Sequence, residues 1–476
     1  MREKVEALVS EAKRAAELIK GSEKIRVISH YDADGIASGA ILVQALKRLG
    51  KSFHLTFLKQ LRSEWIEELK AEENDLIVFL DLGSGCLQAI SGLKTPVIVA
   101  DHHQPQGQAE VVHLNPVLFG INEDLSGSGV AYLLARALSP ENRDLSDLAI
   151  IGAIGDSQLG SVGPDWGLLG LNREILKDAV DAGRIKVKKG LRFWGRTTRP
   201  IHKALAYSID PFIPGISGSE SGAVQFLQDI GIPLKNDGVW RTLDSLSEAE
   251  QQKLATEIIK ERIRGGEANP EWIFGDVYEL LDKPIKDANE FATLLNACGK
   301  QKLAWLGLCF CLGIQPEDPM SILESYRREI GKALNLIMEK RPIKETKNAV
   351  YILAGDLVSE HVISNVTTIL FRSYFTQKPI FSLVKTEEGD LKVSARGNGI
   401  NLKEVLSEIA SAVGGEGGGH EHAAGAVIPM EKQEAFIQLI ENRLQILNGK
   451  NQNLDEVKNG GRKEKVEGKG LVRYLG

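Results

Sequence analysis

The chain of 476 residues is long enough for two or three domains, and its 43% hydrophobic content is ordinary for a globular protein. No apolar run approaches the roughly 18 residues of a spanning helix, and the charged start is unlike a signal peptide, so we expect a cytoplasmic protein. The formal charge of −6 argues against unspecific coating of nucleic acid, and four cysteines are too few for a disulfide framework.

Hydrophobic periodicity predicts alternating helices and strands at the start of the chain. The predicted elements are, in order, a helix over 3–20, a strand over 24–30, a helix over 35–49, a strand over 52–58, a helix over 63–73, and strands over 75–81 and 95–100. This alternation predicts an α/β domain with a doubly wound parallel sheet. Such sheets bind ligands at the carboxyl ends of their strands.

Ligand-type side chains follow the first predicted strand in the segment His30-Tyr-Asp-Ala-Asp-Gly35. On extended backbone, positions 30, 32 and 34 project to one side, so the imidazole of His30 converges with the carboxylates of Asp32 and Asp34. A calcium loop of the EF-hand type is excluded because Ile41 stands where a glutamate is needed. A plain helix cap needs only one aspartate, so a metal site is the favoured interpretation.

Two further strands end in the same kind of residue. Asp81 closes a buried strand, which is costly unless its carboxylate is paired or metal-bound. Asp101, His102 and His103 follow the next strand, a triplet that by itself is more often hydrogen-bonded structure than a ligand set. Asp156 lies in an otherwise apolar, glycine-containing predicted helix, where an acidic side chain is usually an interior defect or a functional group. Carboxylates and imidazoles without nearby thiolates suit Mn²⁺ or Mg²⁺ rather than a dedicated zinc site.

Taken in order, His-x-Asp-x-Asp-Gly, the strand-terminal Asp, Asp-His-His and Gly-x-x-Gly-Asp resemble the four motifs of the DHH phosphoesterase superfamily. That superfamily includes RecJ exonucleases, family II pyrophosphatases and oligonucleotide phosphatases. The resemblance implies two Mn²⁺ or Mg²⁺ ions. It implies that one ion is held by His30, Asp32 and Asp81, and the other by Asp34, Asp81, His102 and Asp156. It further implies catalytic roles for His103, facing the phosphate, and Asp101, orienting an imidazole.

A basic island lies between Arg184 and Ile209, with eight Lys or Arg residues and no acid. It also contains the aromatic residues Phe193, Trp194 and Tyr207. Cationic groups combined with aromatic rings suit a groove for single-stranded nucleic acid; the alternative is a solvated basic surface with core aromatics. The substrate contacts expected here are Arg192, Arg196 and Arg199.

The C-terminal part shows a second α/β pattern, with strands predicted at 349–354, 380–385, 391–395 and 424–429. A glycine-rich segment precedes the last strand, and we expect it to form a backbone amide cradle for an anion. It resembles the substrate-binding motif of the DHH-associated C-terminal domain. The resemblance implies substrate contacts from Ser394, Arg396, Gly418, Gly419 and His420.

Four regions are expected: a DHH catalytic domain (1–200), a linker with a mostly helical insertion (201–340), a DHH-associated substrate-binding domain (341–447) and a disordered tail (448–476). The segment Asp210-Pro-Phe-Ile-Pro-Gly-Ile-Ser-Gly-Ser-Glu-Ser221 is similar to archaeal RecJ-like proteins, and this resemblance implies an exonuclease in DNA replication or repair. It would degrade single-stranded DNA, with 5′ to 3′ favoured, release mononucleotides and associate with the GINS complex. Two alternatives stay open: an oligonucleotide or RNA phosphodiesterase of the same superfamily, and a non-catalytic replication-fork scaffold binding GINS.

Overall fold

The structure is a computed structural model that describes residues 2–160, 166–208, 211–267, 269–375, 377–419 and 421–459. The chain divides into two compact units, Met1–Arg327 and Arg328–Gly476. Across the described ranges, no helix combines the length and the apolar character that a membrane span requires.

The first unit opens with a five-stranded parallel sheet in the order β2-β1-β3-β4-β5. Its elements are α1 (Arg2–Gly21), β1 (Lys24–His30), α2 (Ala33–Arg48), β2 (Ser52–Leu58), α3 (Ser63–Ala71), β3 (Leu76–Leu80), α4 (Leu87–Ile90), β4 (Val97–Ala100) and β5 (Val112–Leu114). Helices α3 and α4 share a core with one face of the sheet, while α2 contacts the strands separately. Strand β3 is apolar at every position because it is covered on both faces of the sheet. The predicted doubly wound parallel sheet is confirmed.

The rest of the first unit is mainly helical. Its elements are α5 (Gly127–Leu138), α6 (Ser146–Gly155), α7 (Gly170–Asp181), β6 (Ile185–Leu191), α8 (Ile201–Ala206), α9 (Glu220–Asp229), β7 (Lys235–Asn236), β8 (Val239–Trp240), α10 (Glu248–Arg264), β9 (Phe274–Leu280), α11 (Ala288–Lys300) and α12 (Ala304–Cys311). Helices α8, α9 and α10 share a hydrophobic core of their own. By contrast, α11 packs on α2 and α6, and α12 packs on α2, although both belong to the stretch expected as an insertion.

A long helix, α13 (Pro319–Lys340), leads into the second unit, a six-stranded mixed sheet in the order β10-β11-β12-β13-β15-β14. Its elements are β10 (Ile343–Glu345), β11 (Val350–Gly355), α14 (Ile363–Tyr374), β12 (Ile380–Lys385), β13 (Leu391–Arg396), α15 (Leu402–Ala412), β14 (Glu416–Gly419), β15 (Ala423–Ile428) and α16 (Gln433–Asn459). The expected second α/β domain is present.

Two details of the second unit differ from the sequence-based expectation. No strand was predicted within the glycine-rich segment, but Glu416–Gly419 form an edge strand whose backbone pairs with β15. The predicted domain boundary at 447 falls inside α16, which continues to Asn459, into the stretch predicted as a disordered tail. The rest of that stretch, 460–476, lies outside the described residues.

Candidate metal centre

Three adjacent parallel strands end at one edge of the first sheet, and each delivers a ligand-type side chain there. His30 is the last residue of β1, Asp81 follows β3, and Asp101 follows β4. Asp156 comes from a helix instead of a strand, as the residue that ends α6. The sheet order β1-β3-β4 therefore brings together side chains that are widely separated in sequence.

Asp81 stands at the middle of this edge and is 2% exposed. Its backbone is in the left-handed region with φ 54°, which is unfavourable for a residue with a side chain. Its amide donates to Ala100 O at 2.9 Å, which ties the turn to β4. Such strain persists where the surrounding structure over-determines it, and it is typical of functional sites.

The carboxylate of Asp81 faces two different imidazoles. Asp81 Oδ2 lies 3.4 Å from His30 Nδ1, and Asp32 Oδ1 lies 3.1 Å from the same nitrogen. Asp81 Oδ1 lies 3.4 Å from His102 Nε2, which is also 3.6 Å from Asp156 Oδ2. Asp81 therefore lies within 3.4 Å of one imidazole from each of the two ligand sets that the resemblance implies.

Asp34 completes the second group, with Oδ2 lying 3.9 Å from His102 Nε2. Its two oxygens also accept from the first amides of α5, at 2.7 Å from Gly127 N and 3.0 Å from Ser128 N. Within the described residues, the side chains that could hold metal ions form three groups of donor atoms within 4.8 Å of one another. They are His30, Asp32 and Asp81; Asp34, His102 and Asp156; and Asp81, Asp101, His102 and His103.

The electrostatics of this centre fit divalent cations. His30 Nδ1, Asp81 Oδ1 and His102 Nε2 are buried and have no hydrogen-bond partner within the described part of the chain. Burial, followed by the charges of Asp81 and Asp156, raises the pKa of Asp34 well above its usual range. Burial works against a charged His102, yet Asp81 raises the pKa of this imidazole to about 10. The carboxylates therefore stabilise positive charge on the neighbouring His102 imidazole. A divalent cation bound at the same place would neutralise these carboxylates.

Asp101 orients His103, as the motif resemblance implied for one of the imidazoles. His103 Nδ1 lies 2.7 Å from Asp101 Oδ1, and Asp101 Oδ2 accepts from Ser84 N at 2.9 Å. Burial opposes ionisation of Asp101, but the bond to His103 and the nearby imidazoles lower its pKa. A carboxylate only accepts hydrogen bonds, so Nδ1 of His103 carries the proton. The His103 side chain is 54% exposed and can face a substrate.

Two supporting side chains were not predicted from the sequence. Gln158 donates through Nε2 to Asp156 Oδ2 at 2.8 Å and accepts from Asn172 Nδ2 at 2.6 Å. Asn115 donates to both His103 O at 2.8 Å and Ser84 Oγ at 2.9 Å. Asn115 could have been found from the sequence, because it follows a strand, β5, as the ligand-type residues do.

Two lysines of the basic island form ion pairs with the strand that pairs with it, so the island is less open than the expected cationic groove. Lys188 forms an ion pair with Glu279, and Lys189 Nζ lies 2.5 Å from Asp276 Oδ1. These partners belong to β9, which runs antiparallel to β6. An acid-free stretch of sequence does not reveal acids that reach it from about 90 residues away through strand pairing.

The three arginines that were expected to contact substrate also differ from one another. Arg192 is 5% exposed, and its Nε donates to Trp272 O at 2.8 Å, so we no longer expect it to contact substrate. Arg196 lies between Asp244 at 3.3 Å and Asp287 at 3.6 Å. These two guanidiniums therefore serve the fold.

Arg199 is half-buried, and its guanidinium lies over the Tyr207 ring at 5.4 Å. Burial, followed by the charge of Arg327, lowers its pKa to about 10, so the side chain stays cationic at neutral pH. Of the expected aromatics, Phe193 is a core residue, whereas Trp194 and Tyr207 are 43% and 51% exposed. Arg199, Trp194 and Tyr207 thus remain at least partly accessible, alongside the exposed lysines of β6.

In the second unit, strand register aligns several of the expected substrate contacts. Ser394 on β13 pairs with Gly425 on β15, and Gly425 pairs with Gly418 on β14, so the three form one row across the sheet. Arg396 donates from Nε to Thr368 Oγ1 at 2.8 Å and lies 3.4 Å from Ser394 Oγ through Nη1. Gly419 follows Gly418 on β14 and has φ 127°. His420 lies outside the described residues.

Family models match three segments of the chain: the DHH family N-terminal domain (24–155), the DHH-CID domain (193–271) and the DHHA1 domain (346–445). An uncharacterized protein of Methanocaldococcus jannaschii is 34% identical over 437 residues, covering 88% of this chain and 92% of that protein. The single-stranded-DNA-specific exonuclease RecJ of Thermus thermophilus is 32% identical over 221 residues, which span 42% of this chain and 32% of RecJ.

Solved structures show the same fold. The Mn²⁺ complex of Thermus thermophilus RecJ has a TM-score of 0.56 at 21% identity, covering 92% of this chain and 54% of that one. CDC45 from Entamoeba histolytica has a TM-score of 0.61 at 13% identity, covering 93% and 98% of the two chains. This chain therefore spans only about half of RecJ but nearly all of CDC45.

Proposed function

Because this chain belongs to the DHH family of phosphoesterases, we propose that it is a metal-dependent exonuclease that degrades single-stranded DNA from one end to mononucleotides. The observation that carries the proposal is the position of Asp81, whose two oxygens face two separate groups of ligand-type side chains. A carboxylate placed in this way is suited to bridge two cations.

The side chains fit two Mn²⁺ or Mg²⁺ ions, and Thermus thermophilus RecJ has been crystallised with each. One ion would be held by His30, Asp32 and Asp81. The other would be held by Asp34, His102 and Asp156 together with Asp81, whose Oδ1 lies 3.4 Å from His102 Nε2. Bound together, two such ions supply a metal-activated water as nucleophile and neutralise the charge that develops on the phosphate.

His103 is suited to hold the substrate phosphate beside the metal site. Asp101 fixes its Nδ1–H, so the other ring nitrogen, Nε2, is directed away from that carboxylate. Burial opposes the charged form, but Asp101 raises the pKa of His103 to about 8. An imidazolium at neutral pH donates a charge-assisted hydrogen bond to a phosphate oxygen.

Contacts with nucleotides farther along the single-stranded DNA would come from the accessible residues of the basic island. Arg199 supplies a cation, and Trp194 and Tyr207 supply exposed rings on which bases can stack. Arg327 adds a second cation to this surface, since its Nη2 donates to Thr198 Oγ1 at 3.0 Å, next to Arg199 in the chain. In the second unit, the half-buried Arg396 is a candidate for a terminal phosphate, whereas Ser394 is 2% exposed and supports Arg396 through its Oγ.

The proposal is tested with single-stranded DNA and RNA labelled at the 5′ or 3′ end, incubated with Mn²⁺ or with EDTA. We expect Mn²⁺-dependent release of mononucleotides from DNA, with loss of the 5′ label first. Preferential cleavage of RNA or of dinucleotides would replace the proposal with the oligonucleotide or RNA phosphodiesterase alternative. Purified protein that binds Mn²⁺ but cleaves none of these substrates would contradict it.

The CDC45 likeness favours a second candidate, a role as a replication-fork scaffold that binds GINS. The segment matched as DHH-CID has a core of its own and exposes apolar side chains, with Val239 70% and Ile263 60% exposed. Exposed apolar side chains on a separate core suit a protein interface. The complete set of metal-site residues argues that this binding would accompany hydrolysis rather than replace it.

Co-purification tests the scaffold role. We expect Val239→Asp and Ile263→Asp to reduce GINS recovery at least 10-fold, because each places a charge on an apolar surface. Leu118→Asp is the matched control, since Leu118 is 53% exposed outside the DHH-CID segment. Equal recovery in all three variants would place the interface elsewhere or exclude it.

A further inference from the structure

Helix α11 lies outside every segment matched by the family models, yet it packs directly against the candidate metal centre. At position 299, a side chain would clash with the backbone carbonyl of Tyr31, between His30 and Asp32. The helix can approach this loop so closely only because Gly299 has no β-carbon.

Asn296 uses both ends of its amide at this contact. Its Oδ1 accepts from Ala33 N at 3.1 Å, and its Nδ2 lies 3.5 Å from Gly155 O. Ala33 is the first residue of α2, and Gly155 is the last of α6. A helix leaves its first amides and last carbonyls without partners inside the helix, so one side chain here serves the ends of two helices.

These two helix ends carry ligand-type residues of both groups. Asp32 and Asp34 flank Ala33, and Asp156 follows Gly155. The ends are also packed tightly, since a β-carbon at position 155 would lie 2.5 Å from Ala33 Cβ. The spacing between the start of α2 and the end of α6 is therefore sensitive to the Asn296 side chain that bridges them.

The other end of α11 is anchored in turn. Glu290 is 2% exposed, and its Oε1 accepts from Thr197 N at 2.7 Å and from Thr197 Oγ1 at 3.1 Å. Thr197 lies within the DHH-CID match. Because contacts hold both ends of α11, the helix supports the side-chain amide of Asn296 in a fixed position.

We propose that Asn296 is a positioning residue that fixes the loops of Asp32, Asp34 and Asp156 at the spacing required for metal binding. The inference rests on the proposed function, because it assigns Asn296 a role at the same metal centre. It requires no contact between Asn296 and either metal or substrate.

The test uses the whole 476-residue chain and Mn²⁺ alone, with binding followed by the electron paramagnetic resonance signal of free Mn²⁺. Asn296→Leu removes both hydrogen bonds at similar volume, and Asn296→Ala removes them without added bulk. We expect both to weaken Mn²⁺ binding by about 10- to 100-fold, the usual effect of removing a group that orients metal ligands. The matched control is Thr293→Val on the same helix, since the Thr293 hydroxyl donates to Asn289 O within α11.

Two further measurements separate positioning from general stability. Hydrogen–deuterium exchange of the peptide containing Ala33 should accelerate in both Asn296 variants and stay at the parent rate in Thr293→Val. In the nuclease assay, kcat should fall while KM stays near the parent value. Parent-like Mn²⁺ affinity in Asn296→Leu, or global unfolding of both Asn296 variants, would overturn the proposal. Failure of the parent protein itself to bind Mn²⁺ would instead overturn the proposed function on which it rests.

Discussion

Gly127 packs directly on Asp81: a β-carbon at position 127 would lie 2.7 Å from Asp81 Cβ and closer still to its carboxylate. Gly127 is the first residue of α5, and its amide donates to Asp34 Oδ2 at 2.7 Å. The absence of a side chain thus lets the helix end reach two candidate ligands at once.

Gly127→Ala should therefore displace Asp81 and weaken Mn²⁺ binding by about 10-fold or more, as expected for a change that misorients metal ligands. Alanine is favoured over glycine in helices, so the helix itself should persist. Isothermal titration calorimetry with Mn²⁺ measures the effect. Gly21→Ala, at the open end of α1, is the control and should bind like the parent. Parent-like affinity in Gly127→Ala would mean that the close approach does not constrain the site.

Asp81→Asn tests the bridging assignment, because it preserves shape while removing the charge that both ligand groups share. Hydrolysis should fall by roughly 10⁴-fold, the scale of losses for central catalytic groups, while far-ultraviolet circular dichroism stays unchanged. Saturating Mn²⁺ should raise the parent's Tm relative to EDTA, because binding to the folded state alone stabilises it. A comparable Tm shift and residual nuclease activity in the variant would remove the two-ion assignment.

Asp287 gives a pH-dependent prediction away from the metal centre. Burial, followed by the nearby Glu290 carboxylate, raises the pKa of Asp287 to about 7. A carboxyl whose folded-state pKa is raised contributes stability below its unfolded pKa and loses that contribution as pH rises through the folded value. Asp287→Asn should therefore gain Tm relative to the parent between pH 4 and pH 8, by a few degrees. A constant Tm difference across this range would contradict the raised pKa.

Arg199 is the arginine of the basic island that we still expect to bind nucleic acid. Removing one cation that pairs with a phosphate should change the slope of log affinity against log salt by about 0.7 for a single strand. Arg199→Gln should show this change in fluorescence-anisotropy titrations at several salt concentrations. Arg14→Gln on α1, where the side chain is 66% exposed, is a charge-matched control and should keep the parent slope. Identical slopes for both variants would assign Arg199 to the fold.

Sequence alone was sufficient to predict the sheet and which ligand-type side chains come together at its edge. Buried parallel strands must be apolar along their length, so the carboxylate of Asp81 stood out where β3 ends. The carboxyl ends of parallel strands lie at the same edge of a sheet, so the sequence also predicts that His30, Asp81 and Asp101 converge. These inferences depend on local pattern and on topology rules, both of which the sequence contains.

Only the tertiary structure determined which charges are free and what supports the site. Lys189 is paired with Asp276 through strand pairing, and Arg192 is buried against Trp272 O, so the basic island is far less open than its composition indicates. Asn296 likewise reaches Ala33 from 263 positions along the chain. Such interactions depend on how elements distant in sequence pack, and hydrophobic periodicity carries no record of that packing.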